Sequence, residues 1–190
     1  LFLPTVDVVY PEKYKTVQVN LGILDKVFEG PQRPGHFDGV IQVVKRLFDM
    51  VQPHVAYFGF KDFQQCMVVK VLRNTFFPKL ELRFSETIRQ KDGLAMSSRN
   101  MRLSAVGLEK ATHIYKALKM GRELKKHIEP FDALKYARHI LTQNGIEVEY
   151  LALANADTLI ESKKWLRKDK NVVLVAAWVE GVRLIDNIIF

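Results

Sequence analysis

A strand–helix–strand pattern between residues 55 and 88 constrains this chain more than any other feature. The apolar run Val55–Phe58 stops at Gly59, Asp62 is placed to cap a helix running to about Asn74, and Glu81–Ile88 returns to a strand-like texture. Strand, helix and strand joined by short connections imply a right-handed parallel crossover, so the first half of the chain reads as α/β. Upstream, Leu1–Leu3 and Val17–Val19 read as extended. Gly39–Val51 reads as an amphipathic helix with Val40, Val43, Val44, Leu47 and Val51 on one stripe.

The texture changes after "SSRN", residues 97–100. Ser104 opens a long helix carrying Leu108, Ala111, Tyr115 and Leu118 at helical spacing. A second helix follows Pro130, carries Leu134, Ala137 and Leu141, and is stopped by Asn144-Gly145. Glu147–Leu153, Val172–Trp178 and Val182–Ile185 then read as strands, the last two joined as an antiparallel hairpin through "EGV". Two helices followed by strands predict a small α+β domain, so the chain divides into residues 1–99 and 100–190.

Bulk properties narrow the function classes. With 190 residues and 48% hydrophobic content the chain has enough apolar material for a real core. Its single cysteine, Cys66, excludes an internal disulfide framework and reads as a small buried hydrophobe in a reducing compartment. No run of residues is apolar enough to span a membrane. The formal charge of +8 suits an anionic partner without selecting one. The densest basic run, "KKWLRKDK" at 163–170, reads as a solvated surface turn. The five histidines form no zinc-ligand spacing, His36 reads as packed or capping with Asp38 a possible cap, and no nucleophile elbow, P-loop or dinucleotide fingerprint is present. A chain that begins at Leu1 in strand-like texture suggests that an upstream portion of the natural protein precedes it.

Two loops carry chemistry. In open parallel sheets, ligands bind beyond the carboxyl ends of the strands. Gly59 stands at such an end, where a missing side chain lets a ligand approach the backbone. Lys61 follows at the helix entrance, and Asp62 and Gln65 share the first turn. Phosphates would take Lys61, hydroxyls Asp62, and a carboxylate or hydroxyl Gln65. The second loop, "KDGLAMSSRN" from Lys91 to Asn100, offers the hydroxyls of Ser97 and Ser98 and the forked guanidinium of Arg99. Two basic, hydrogen-bonding loops at successive strand ends favour an anionic ligand, and a nucleotide above others.

At these residues the sequence resembles the pantothenate synthetase family, the pantoate–β-alanine ligases. The resemblance runs through "EGPQRPGHFDGV", "YFGFKDFQQ", "KDGLAMSSRNMRLS", "NADTL" and "VLVAAWVEGVRLIDN", in order, over essentially the whole chain. It implies a partial Rossmann-like nucleotidyltransferase domain with a parallel sheet, followed by the small α+β domain. It further implies ATP and Mg2+ as cofactors and pantoate and β-alanine as substrates. The implied reaction passes through a pantoyl adenylate in a cytoplasmic enzyme that is a homodimer at full length. By resemblance Gly59, Phe60, Lys61, Asp62, Ile88, Met96, Ser97, Ser98 and Arg99 line the ATP site. Of these, Lys61, Ser97, Ser98 and Arg99 serve the chemistry, and Gln65 binds pantoate. No metal-ligating side chains, membrane or nucleic acid are expected.

Two departures from the family pattern stand out. Phe60 occupies a position that is usually polar, commonly Glu, which implies a tuned site. The family's HxGH motif and its second pantoate-binding glutamine do not occur in this sequence. The chain is therefore expected to carry part of an active site and to lack ligase activity alone. The competing readings are a basic nucleic-acid-binding module and a non-catalytic interaction fragment with an exposed strand edge.

Overall fold

The computed structural model describes residues 1–167 and 170–190. Of the basic run 163–170, residues 168 and 169 lie outside the described residues. Lys163, Lys164, Arg167 and Lys170 are exposed. The fold is mixed α/β, as the sequence predicts, with a two-stranded parallel sheet and a separate three-stranded antiparallel sheet. By packing, the chain forms two compact units. The first holds residues 1–58 and 64–85, and the second holds 59–63 and 86–190. The division read from the sequence, at 99/100, follows the change in texture. The packing units instead part at 85/86 and assign the five residues after Phe58 to the second unit.

The first unit opens with the short helix α1 (Val6–Val9), then α2 (Glu29–Gln32) and the long α3 (His36–Val51). The expected strand at Leu1–Leu3 is not formed, and neither is the one at Val17–Val19. An extended segment becomes a strand only when a neighbouring backbone takes its N–H and C=O groups. Here the Gln42 side-chain amide exchanges both bonds with Val17. It accepts from the Val17 N–H at 3.1 Å and donates to its carbonyl at 2.5 Å.

Helix α3 starts three residues earlier than Gly39. Its N-cap is Gly35, in the left-handed region at φ 75°, so Asp38 lies inside the first turn and does not cap. Its phase also differs from the valine stripe: Phe37, Val40, Ile41 and Phe48 are buried, while Val43 and Val51 are exposed. The aromatic rings carry more apolar area than the valines and set which face turns inward. Phe48 packs edge-on to Phe58 and Phe77, with centroids 6.4 and 5.4 Å apart.

Strand β1 (Val55–Gly59) leads through a 3-10 turn at Phe60–Asp62 into α4 (Phe63–Phe76), and β2 (Glu81–Ser85) returns. The crossover is thus as expected, with two corrections. Gly59 is the N-cap and no side chain caps the turn, so Asp62 is a first-turn residue. Strand β2 ends at Ser85, before Ile88. Cys66 is buried on α4, consistent with its reading as a small hydrophobe.

In the second unit, α5 (Ala105–Leu124) is capped by Ser104, whose hydroxyl accepts from the Gly107 N–H at 3.0 Å. Helix α6 (Pro130–Gln143) begins with proline at its start and ends before Gly145, at φ 69°. Strands β3 (Glu147–Asn155), β4 (Asn171–Val179) and β5 (Val182–Ile189) form the antiparallel sheet in that order. Glu180 and Gly181, both at positive φ, make the two-residue turn that joins β4 to β5. The buried faces of α5, α6 and the sheet share one core, including Ala111, Leu118, Leu141, Leu153 and Val173. Strand β5 runs four residues past its expected end at Ile185. Asp and Asn are poor strand formers, yet Asp186 and Asn187 continue it because both side chains find fixed partners.

Candidate active site

The turn after β1 belongs to the second unit, where β5 holds it by its backbone. The Asn187 side-chain amide donates to the carbonyls of Phe60 at 2.8 Å and Lys61 at 3.0 Å. Asn187 is itself seated: its N–H donates to Asp186 Oδ1 at 2.8 Å. Asp186, 4% exposed, receives a two-pronged bond from Arg89 at 2.6 and 2.9 Å. Burial pushes the Asp186 carboxyl above its ordinary range, while the Arg89 fork, the Asn187 N–H and the charge of Lys61 pull it down. The Arg89 guanidinium lies 3.7 Å from the centre of the Tyr115 ring, a cation–π contact inside the pair.

The second loop grows from the same arginine. Arg89 bridges Ala95, the Met96 N–H donates to the Ile88 carbonyl at 2.9 Å, and Arg89 Nη1 reaches the Gly93 carbonyl at 3.2 Å. The result is a tight hairpin turning at Gly93, whose φ of 94° favours glycine. A Cβ there would also stand 2.7 Å from the Tyr115 ring. Leu94 and Ala95 are buried, so the hairpin is anchored and the segment that follows emerges from a fixed point. Ser97 caps a 3-10 turn over Ser98–Arg102, its hydroxyl accepting from the Arg99 N–H at 3.2 Å. Arg99 Nη1 donates to the Arg183 carbonyl at 3.0 Å.

These elements bring most of the expected residues into one unit. Lys61, Ser97 and Arg99 line a single cavity with Asp186 and Tyr115. The cavity itself measures about 20 Å3, room for one water. Beside it, Met96, Ser97 and Ser98 face an open cleft of about 570 Å3, the size range of small-ligand sites. Among the described residues, neither Lys61 nor Asp62 makes a side-chain hydrogen bond or ion pair, so both polar groups are available. Gly59 has φ −89° and ψ 134°, open to any residue, and an added Cβ would meet no atom within 4 Å. Nothing in the chain's own packing calls for glycine there. Phe60 is half-buried, with its ring 5.8 Å from that of Phe63. Ile88 and Met96 are 71% and 55% exposed, two apolar side chains set in the hairpin and left in solvent.

Gln65 falls in the first unit and is half-buried. Its neighbour Gln64 has a structural task. Buried on α4, it donates to the carbonyls of Leu24 and Val27 and accepts from the Glu29 N–H at 3.1 Å, pinning the segment before α3. His36 packs against Phe37, their ring centroids 5.2 Å apart. Among the described residues, no group of three His, Cys, Asp or Glu side chains is placed to hold a metal, and no helix is long and apolar enough to cross a membrane. Sequence reasoning missed Arg89, Asp186 and Asn187. Their signal was the polar pair in the otherwise apolar "LIDNII", which marks buried groups that must have partners.

A family model for pantoate–β-alanine ligase matches residues 1–189. Pantothenate synthetase of Cytophaga hutchinsonii is 44% identical, over the whole of this chain and 68% of its own length. That of Coprothermobacter proteolyticus is 40% identical with the same coverage. Among solved structures, pantothenate synthetase of Thermus thermophilus superposes with TM-score 0.90 at 39% identity, over 97% of this chain and 67% of the other. Pantoate–β-alanine ligase of Francisella tularensis, complexed with β-γ ATP and β-alanine, gives TM-score 0.72 at 29% identity, over 95% and 60%. The chain thus spans about two thirds of the length of the curated relatives that it matches. On these matches, and over its whole length, the chain belongs to the pantoate–β-alanine ligase family of enzymes.

Proposed function

We propose that this chain supplies one side of an ATP-dependent ligase site that joins pantoate to β-alanine through a pantoyl-adenylate intermediate. The observation that carries the reading is the meeting of Lys61, Ser97 and Arg99 around one cavity, where the Lys61 ammonium makes no hydrogen bond or close ion pair among the described residues. Its support is the family and the ATP and β-alanine complex of the Francisella relative. The pantoate carboxylate oxygen attacks the α-phosphorus of ATP, the bond to the β-phosphate oxygen breaks, and pyrophosphate leaves with the electron pair. The β-alanine amine then attacks the acyl carbon, a proton is lost from nitrogen, and AMP departs.

In this reading Lys61 and Arg99 neutralise charge on the phosphates, Ser97 and Ser98 donate to the leaving pyrophosphate, and Asp62 accepts from the ribose. The bare backbone at Gly59 lets the nucleotide lie close, with Phe60, Ile88 and Met96 against it. Gln65 hydrogen-bonds pantoate. Mg2+ enters with the nucleotide, as part of the substrate. The full-length enzyme is read as a cytoplasmic homodimer, with residues 1–99 carrying the nucleotide and pantoate contacts and 100–190 forming the small second domain.

The decisive experiment is pantoate-dependent exchange of pyrophosphate into ATP, measured on a protein that carries the HxGH segment as well. Lys61→Ala should slow the exchange by about 100-fold or more, on the scale of a lost charge-stabilising donor. Unchanged exchange overturns the assignment. The sequence itself contains no HxGH, and we expect the isolated chain to form no AMP from ATP, pantoate and β-alanine. Efficient AMP formation by the purified chain would overturn that expectation.

A further inference from the structure

We propose that Asn187 is the positioning residue that aims Lys61, with the Asp186–Arg89 pair as its mount. The inference rests on the reading of Gly59–Asp62 as a nucleotide-binding turn, and adds to it a part that lies 126 residues away in sequence. A turn that presents an unpaired ammonium needs its backbone held from the side away from the ligand. Here one amide does this: Asn187 Nδ2 spends both of its hydrogens on consecutive carbonyls, Phe60 and Lys61. Those two bonds fix the orientation of two successive peptide planes, and the direction of the Lys61 side chain follows from them.

The residue that carries this amide is itself held at three points. It lies in strand β5, its N–H donates to Asp186 Oδ1, and its carbonyl accepts from Arg89 Nη2 at 3.3 Å. Asp186 and Arg89 are in turn fixed by their fork and by the Tyr115 ring. Arg89 also begins the hairpin that leads to Ser97–Arg99. One rigid cluster therefore seats both halves of the anion cradle, and Asn187 is its link to Lys61. The chemistry at residue 187 is specific. A carboxylate there would face two carbonyl oxygens with no hydrogen to offer, and an apolar residue would remove both bonds.

The test compares Asn187→Ala, the isosteric Asn187→Asp, Lys61→Ala and the double variant Lys61→Ala/Asn187→Ala, all in this chain. Thermal melting identifies any variant that fails to fold, and Asn187→Asp keeps side-chain volume should the alanine variant do so. Amide hydrogen exchange without ligand should quicken roughly ten-fold or more at residues 61–63 in both Asn187 variants, and stay unchanged across the β4–β5 turn. Mg-ATP titrated to millimolar concentration, followed by amide chemical shifts, should bind roughly ten-fold more weakly to Asn187→Ala than to the wild type, two neutral hydrogen bonds being lost. In the Lys61→Ala background the Asn187 change should add less than about two-fold, since it acts through the lysine.

Exchange and affinity that are unchanged in Asn187→Ala overturn the proposal. So does a double variant in which the two losses multiply, the mark of independent action. A wild-type chain unmoved by Mg-ATP tells against the nucleotide reading, and the exchange measurement then decides by itself whether Asn187 holds the turn.

Discussion

The two loops that carry the candidate chemistry are held in opposite ways. The Gly59–Asp62 turn is fixed through its backbone, by an amide from a distant strand, and its charged side chains make no side-chain hydrogen bond or ion pair among the described residues. The Ser97–Arg99 segment spends its own polar groups on itself and its neighbours: the Ser97 hydroxyl on the Arg99 N–H, and the Arg99 guanidinium on the Arg183 carbonyl. The first is poised for a ligand as it stands. The second still has hydrogens to offer, the Ser97 O–H and the remaining N–H groups of Arg99, but its present bonds already fix where they point.

The comparison breaks most severely at the shared mount. Arg89→Met leaves a buried carboxylate without its partner and should destabilise the chain by about 3–5 kcal/mol at neutral pH in denaturant unfolding. The folded-state pKa of Asp186 already stands above its unfolded value because of burial, and losing Arg89 raises it further. Such a group stabilises below the unfolded pKa and loses that contribution as pH rises, so the deficit should shrink on acidification. A loss that is independent of pH would show that Asp186 is not the group left stranded.

The next largest effect separates the loops themselves. Lys61→Ala should weaken Mg-ATP binding by about ten- to a hundred-fold, the range for a bond to a charged group, with little change in melting temperature. Arg99→Ala should cost less affinity, because the bond to the Arg183 carbonyl already occupies part of the wild-type guanidinium and restrains its reach. Equal losses at the two positions would mean that the Arg183 bond is too weak to matter. Smaller again is Ser97→Ala, which removes the cap of the Ser98–Arg102 turn and should cost about 1 kcal/mol of stability. If the hydroxyl also meets the leaving pyrophosphate, as proposed, the loss of activity will exceed that figure.

The smallest effect lies behind the second loop, at the side chain of the residue whose carbonyl holds Arg99. Glu149 is held below the ordinary carboxylate range, chiefly by Arg183, with the Trp178 indole N–H assisting against desolvation. A lowered folded pKa gives stability that is present above the unfolded value and fades as pH falls through the folded one. Acid titration of the melting temperature should therefore be shallower in Glu149→Gln than in the wild type. Identical slopes would show that the pair contributes nothing.

Local reading went far where a residue's role depends on its near neighbours. The crossover, the Ser104 cap, the proline start of α6, the Gly145 stop and the two-residue hairpin turn were all visible in the sequence, since each depends on residues within a few positions. The loops at Gly59 and Ser97 were visible for the same reason. Reading failed where partners were remote. The phase of α3 was set by Phe48, whose ring meets Phe58 and Phe77, and not by the more numerous valines. Val17 found a glutamine side chain where a strand was expected.

By itself, then, the sequence determined the order of elements from α3 onward, the family and the two loops bearing lysine, serines and arginine. Only the tertiary structure decided how those loops are held. The residues that hold them are Asp186 and Asn187, buried in a strand, and Arg89, half-buried in a hairpin. Such groups are tolerated only where each donor meets its acceptor, and those acceptors come from chain segments about a hundred residues away.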